Sequence, residues 1–334
     1  MPIIVLLVGL STILTIYVGG LRVIAGELEL GHIFQFVFYV NLLTWPFASV
    51  GWVTSLVQKA EASMQRINAF MLAEPDVVSG DATSPVSPED WTLRFKDVHF
   101  TYPDTGIRAL QGVSFDLTPG RTVAITGRTG SGKSTAAQLA MRIFDPTSGD
   151  ITLGGRSLTD WDLEAFHALT GYVPQEVFLF SDRIGANIAF GLTEEERADE
   201  DLAEQVQGAA RQARVAHNIE GFPKGYDTLL GERGVNLSGG QKQRISIARA
   251  LIRSPKFLIL DDCLSAVDTE TEEHILSAIA ERASEAAVLI VSHRISTIRH
   301  ADEVIVLDNG RVAEQGSPAE LLAAKGLFWE LSEE

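Results

Sequence analysis

Only one cysteine, Cys263, stands among the 334 residues, so no intrachain disulfide can form and a reducing compartment is compatible. Its place in an apolar strand end, "LILDDCLSAVD", makes it a small packing residue rather than a nucleophile. Positive charge is also short: 27 Lys and Arg face 44 Asp and Glu, for a formal charge of −17. That balance argues against a nucleic-acid binder, which needs a basic face. Internal repeats and low-complexity tracts are missing, which excludes a solenoid or a biased-composition chain.

Two stretches lack charge altogether. Ile3 to Leu21 and Ile33 to Val57 are each long enough to cross a ~30 Å hydrocarbon core at ~1.5 Å per residue. Pro46 is expected to kink the second, which bundle neighbours can tolerate. A cleaved secretory signal is the alternative for the first, but the basic leading region is missing and a second span follows at once. The connector "RVIAGELELGH" holds one arginine and two glutamates, whereas Lys59 and Arg66 follow the second span. Basic residues stay inside, so the connector is expected outside and the long C-terminal part in the cytoplasm. The aromatics Phe34, Phe36, Phe38, Tyr39, Trp45, Phe47 and Trp52 read as lipid-facing or interfacial anchors more readily than as a cargo pocket.

Residues 1–75 are therefore expected to be a partial transmembrane domain, two spanning helices at about 3–21 and 33–57 with a cytoplasmic extension. Residues 76–90, rich in Ser, Pro, Gly and Asp, read as a linker. A soluble domain, 91–334, follows.

The chemistry lies in that domain. "TVAITGRTGSGKST" (Thr122 to Thr135) is an apolar strand, a glycine-rich turn and a helix start. Gly127, Gly132, Lys133 and Ser134 fit the phosphate-loop pattern at full spacing, with Arg128, Thr129, Gly130 and Ser131 between them and Thr135 next. Glycines let successive backbone N–H groups converge on phosphate oxygens, and the helix N-terminus adds partial positive charge. Lys133 is expected on the β- and γ-phosphates of ATP, and the Ser134 hydroxyl on Mg²⁺. "FLIL" (Phe257 to Leu260) is the unbroken apolar run of a central strand buried on both faces. Asp261 at its carboxyl end stands where open α/β sheets place ligands, and is expected to hold Mg²⁺ through water. "LSGGQKQRISIARAL" (Leu237 to Leu251) opens with a Ser-Gly-Gly turn and continues as an amphipathic helix.

With these three motifs in this order the chain resembles an ATP-binding cassette (ABC) exporter half, its membrane and nucleotide domains fused. The resemblance implies an α-helical transmembrane segment of two helices, then an α/β P-loop ABC nucleotide-binding domain with a helical subdomain at about 176–236. Further family marks follow residue by residue. Tyr102 resembles the aromatic that stacks on adenine, and Gln175 the glutamine that ligates Mg²⁺ and senses the membrane domain. "GERG" (Gly231 to Gly234) resembles the exporter segment that contacts transmembrane helices. "SAVD", ending in Asp268, resembles the loop that crosses between paired domains, and His293 the histidine on the γ-phosphate.

In this family the residue after the strand-end aspartate is normally a glutamate that polarises the attacking water; here it is Asp262. Aspartate has nearly the same pKa but withdraws its carboxylate by ~1.5 Å. A misplacement of ~1 Å can cost ~10²-fold in rate, unless the local backbone shifts to compensate. The resemblance further implies that two cassettes sandwich two ATPs, the loop of one facing the signature of the other. A weakened base beside an intact signature then resembles one half of a heterodimeric exporter with a Glu-bearing partner, Ser238, Gly239, Gly240 and Gln241 completing the partner's site. A homodimer with a working Asp262, or a truncated nucleotide-holding regulatory subunit, stays open. A soluble cassette ATPase would not need the two spans. The resemblance places the chain in the cell membrane, in contact with lipid and not nucleic acid. Such a half carries six membrane helices and this sequence two, like the fifth and sixth, so it is expected to be a fragment starting internally at Met1 or a truncated product.

Overall fold

The computed structural model describes residues 2–84, 90–264, 269–283 and 286–333. They form two compact units, 1–75 and 76–334. The first is a helical hairpin, α1 (Pro2–Ile24) and α2 (Leu30–Met71). Both outrun the charge-free stretches, because helix continues through Arg22 and starts again ahead of Ile33, leaving only residues 25–29 to turn. Near that turn the helices close up at Gly19, where an added Cβ would lie 3.0 Å from the Ile33 side chain. α2 continues as one helix through Pro46, which has no N–H and so leaves one bond of the ladder unmade. Its 42 residues make a rod of about 63 Å, twice a hydrocarbon core. The polar second half, with Lys59, Glu61 and Arg66, is thus an extension beyond any membrane. The apolar windows of both helices are unburied within the chain, as surfaces meant for lipid or neighbouring helices are.

The second unit opens with β1 (Leu93–Thr101) and β2 (Arg108–Leu117), then β3 (Thr122–Gly127), α3 (Lys133–Ala140), β4 (Ser148–Leu153) and β5 (Arg156–Ser157). After α4 (Leu163–Ala168) and β6 (Thr170–Val173) come four short helices, α5 (Ile184–Ala189), α6 (Glu194–Arg197), α7 (Leu202–Gln212) and α8 (Ala216–Glu220). The chain continues through α9 (Gly239–Leu251), β7 (Phe257–Asp261), α10 (Thr269–Ala283), β8 (Ala287–Val291) and α11 (Ile295–Ile298). It ends with β9 (Glu303–Asp308), β10 (Arg311–Gly316), α12 (Pro318–Ala324) and α13 (Leu327–Glu333).

A six-stranded sheet, in the order β10-β9-β3-β8-β7-β6, is parallel apart from β10. Strands β3, β7 and β8 are buried along their whole length, which explains their mostly apolar composition. Alternate residues serve opposite faces. Leu258, Leu260, Val288 and Ile290 pack with the helices around α5, α7 and α9, whereas Phe257, Ile259, Leu289 and Val291 pack with α3 and the antiparallel sheet β2-β1-β4-β5. The acidic run at 193–205 is capped by Thr193 and Glu196, and α6 buries none of its residues. Asn309 and Gly310, at φ +48° and +78°, turn β9 into β10 as the Asn-Gly pair predicts.

The stretch read as a linker is in part fixed to this unit. Arg142, its side chain 2 % exposed, donates to the carbonyls of Val78 (2.7 Å), Thr159 (3.1 Å) and Trp161 (2.8 Å) and pairs with Asp145 at 3.1 Å. Gly80 and Ala82 donate to the carbonyls of Trp161 (2.9 Å) and Asp160 (3.0 Å). A Cβ at Gly80 would lie 2.2 Å from the Asp160 carbonyl oxygen, so only glycine passes there. Composition reports the polarity of 76–84 but not the buried guanidinium that ties it down. Residues 85–89 lie outside the described ones.

Candidate nucleotide site

The loop between β3 and α3 is built around three glycines with left-handed or related backbones, Gly127 (φ +144°), Gly130 (φ +80°) and Gly132 (φ +102°). Two have no room for a side chain: a Cβ on Gly127 would meet the Leu307 carbonyl oxygen at 2.1 Å, and one on Gly132 that of Ala109 at 2.4 Å. The turn after β9 braces the loop, Gly310 donating to the Ser131 carbonyl at 3.1 Å. That Asn-Gly turn, which looks like bare scaffold in the sequence, thus supports the loop from beneath. The Ser131 hydroxyl is buried with no hydrogen-bond partner, an orphan donor beside the cradle. Arg128, Thr129 and Gly130 are exposed, and Arg128 lies 3.8 Å from Glu330.

Lys133 folds over the loop, donating to the carbonyls of Gly127 at 2.8 Å and Arg128 at 2.9 Å. Burial lowers its pKa, opposed by the charges of Asp262 and Asp261. Ser134 donates to Asp261 Oδ1 at 3.0 Å. Asp261 is 3 % exposed, and burial raises its pKa against the hydrogen bonds from Ser134 and Tyr172 and the charge of Lys133. Tyr172 is pushed up to about 12 by its own burial and by the Asp261 carboxylate. A hydroxyl and a carboxylate in contact beside a phosphate cradle are the hard oxygen donors that suit a divalent cation such as Mg²⁺. Among the described residues no cluster of three or more His, Cys, Asp or Glu could hold a metal, so an ion here would take further ligands from phosphate and water.

Because β3, β7 and β8 are parallel, their carboxyl ends deliver Gly127, Asp261 and the residues after Val291 to one edge. There His293 Nδ1 lies 3.0 Å from Asp262 Oδ1, and the Gln175 amide donates to Asp262 Oδ2 at 3.5 Å. Gln175 and His293, far apart in the sequence, thus meet at one carboxylate. Asp262 has φ +46°, a left-handed conformation that aspartate tolerates better than most residues, and its N–H is tied to the Val291 carbonyl at 2.8 Å.

Tyr102 is half-buried, edge-on to Phe100 and Phe144, and its hydroxyl contacts Thr135 Oγ1 at 3.0 Å and Gln138 Oε1 at 3.2 Å. It thereby stands at the first turns of α3. Ser238 caps α9 in a reciprocal box with Gln241, N–H to Oε1 at 2.9 Å and N–H to Oγ at 3.2 Å, leaving Gly239 and Gly240 as the first helical residues. Among the described residues no hydrogen bond or ion pair joins 238–241 to the phosphate loop. Asp268 lies outside the described residues.

Motif reading missed several residues that shape the site. Arg249 of α9 donates to Phe178 O (3.0 Å), Asn187 O (2.8 Å) and Asn187 Oδ1 (2.9 Å), pinning the segment after Gln175; burial lowers its pKa to about 10. Its signal was an arginine on the otherwise small and apolar face "ISIARAL". Tyr172, two positions before Pro174 and inside a strand, carries no sequence signal of its contact with Asp261.

A glycine-built loop opening a helix at the carboxyl edge of a parallel sheet, backed by a strand-end aspartate, defines a phosphate-loop nucleotide-binding domain. The comparisons with known proteins narrow the class. The family described as "ABC transporter" matches residues 110–265. A probable multidrug resistance ABC transporter ATP-binding/permease protein of Bacillus subtilis is 39% identical over 333 residues, 98% of this chain and 55% of its own length. An ATP-dependent lipid A-core flippase of Vibrio parahaemolyticus is 39% identical over 332 residues, 99% of this chain and 56% of its own. The solved structure of a bacterial Atm1-family ABC exporter with ATP bound superposes with a TM-score of 0.75 at 37% identity, covering 91% of this chain and 53% of that one. The chain belongs to the ABC transporter family, two apolar helices leading into an ABC nucleotide-binding domain. It spans about half the length of the curated relatives it matches.

Proposed function

We propose that this chain is the ATP-binding and ATP-hydrolysing part of an ABC exporter half, coupling the nucleotide cycle to export of a lipophilic substrate. The observation that carries the reading is the phosphate loop, with Lys133 folded over it and Asp261, Asp262, Gln175 and His293 gathered at the same sheet edge. The loop N–H groups and Lys133 bind the phosphates of ATP. Ser134 and Asp261, with Gln175, would hold Mg²⁺, which when bound would shield phosphate charge. Asp262 accepts from the attacking water, and His293, beside it, faces the γ-phosphate. The two apolar helices support a place in the cell membrane, with the nucleotide domain in the cytoplasm, where ATP is. The multidrug and lipid flippase relatives favour a lipophilic or lipid cargo.

Among the described residues no hydrogen bond or ion pair joins the signature residues 238–241 to the chain's own loop, which favours a site completed by a second chain. Two exporter halves facing each other would supply loop to signature twice. The shortened base favours unequal halves: this chain's loop forms a slow site, while its Ser238, Gly239, Gly240 and Gln241, with Asp268 at the crossing loop, serve a Glu-bearing partner. Purified in nanodiscs, the chain is expected to bind MgATP yet turn it over slowly. Brisk turnover by a self-paired preparation overturns the heterodimer reading in favour of a homodimer, and absence of MgATP binding overturns the function itself.

A further inference from the structure

Glu272 belongs to the run "TETEEH", whose composition reads as a solvated helix face, and its neighbour Glu273 is indeed exposed. Glu272 is not: it is 1 % exposed. A carboxylate so placed must be matched by donors, since an unpaired buried charge is costly. It takes three. Arg294 Nη1 donates at 2.9 Å, the Ser296 hydroxyl at 3.1 Å, and the Thr297 hydroxyl joins them. All three come from the five residues that begin at His293.

The same Arg294 nitrogen donates to the Leu264 carbonyl at 3.2 Å, two residues beyond Asp262. Arg294 therefore bridges the start of the loop after β7 and Glu272. Its backbone N–H is bound to Ser292 Oγ at 3.0 Å, so the turn carrying His293 is closed on both sides. Both ends of the Asp262–His293 contact are anchored through this one ion pair.

The geometry points to Glu272 as a positioning residue: through Arg294 it fixes the loop after Asp262 against the loop carrying His293 and so holds their 3.0 Å contact. Glu272 touches neither nucleotide nor water. Its effect on turnover rests on the hydrolysis reading above; its effect on His293 does not.

The test uses the full chain in nanodiscs with ¹³Cε1-labelled histidine, the His293 signal being assigned by His293→Ala among the 7 histidines. Glu272→Gln is expected to shift or broaden that signal, as Asp262→Asn does, and to leave the other histidines unmoved. Turnover should fall by ~10- to 100-fold, the scale of an ångström-sized misplacement, with KM for ATP within ~3-fold. In the His293→Ala background the same change should cost less than ~2-fold, because the two residues act through one contact. Arg294→Lys, which keeps the charge but ends about one bond short of the nitrogen that reaches both acceptors, gives the same pattern should Glu272→Gln not fold. Exposed Glu273→Gln gives none of it. An unmoved His293 signal in a folded Glu272→Gln or Arg294→Lys protein, or an additive loss over His293→Ala, overturns the inference. A wild-type chain without turnover counts against the hydrolysis reading, while the His293 signal still decides this one.

Discussion

Asp262→Glu lengthens the side chain by one methylene, about 1.5 Å of reach. The Asp262 carboxylate is held by His293 at 3.0 Å and by Gln175 at 3.5 Å. If reach limits the water-activating step, an ångström regained is worth ~10²-fold, or about 2.7 kcal/mol of barrier. The substitution has a structural cost as well. At φ +46° glutamate lacks the local hydrogen bonding that lets aspartate rest there, a penalty of up to about 1 kcal/mol. A fall in Tm of about 2–4 °C is expected for a unit of this size. Phosphate release should therefore rise ~10- to 100-fold, in the chain alone and at this site of a mixed dimer. MgATP affinity should stay within ~2-fold, since Lys133, Ser134 and Asp261 are untouched. Phosphate-release kinetics and binding of a fluorescent ATP analogue measure the two quantities on one preparation. A folded Asp262→Glu protein that binds ATP normally and turns over no faster refutes the length argument.

Lys133→Ala removes the cation that spans the loop carbonyls of Gly127 and Arg128, and MgATP affinity should drop ~10- to 100-fold, as for loss of a charged hydrogen bond; the same fluorescent titration reads it. Arg142→Ala strands the Val78, Thr159 and Trp161 carbonyls and should cost about 3 kcal/mol or more. Hydrogen exchange should then speed up at Gly80 and Ala82 ahead of the rest of the unit. The Cys263 thiol is buried and its pKa is raised, chiefly by that burial, from an ordinary 9.0. It should ignore a thiol reagent at pH 8 and react once per chain on unfolding. Above about pH 9 the unfolded chain loses this proton while the folded one keeps it. Stability should therefore fall as pH rises, by up to about 1.4 kcal/mol per unit, and Cys263→Ala should remove that slope.

Much of this protein is written locally. The charge-free spans become α1 and α2 because only helix satisfies the backbone over such a run in lipid. The apolar strands, the Gly-Lys-Ser loop, the Ser238 cap and the Asn309-Gly310 turn each draw on residues within a few positions, so their spacing alone announces them. The charged residues that act at a distance are another matter. Arg142, Arg249 and Glu272 look like ordinary polar surface in the sequence, yet Arg142 and Glu272 are buried, Arg249 is half-buried, and each is bound across tens of residues.

The sequence by itself determined the order of membrane helices, phosphate loop, signature and acidic strand, because each depends on near neighbours. Only the tertiary structure decided what meets Asp262, how the 78–82 segment is strapped down, and why one glutamate of an acidic run is hidden. Those choices follow from parallel strands carrying distant loops to a common edge, where a charge cut off from water must find its partner in whatever the fold delivers.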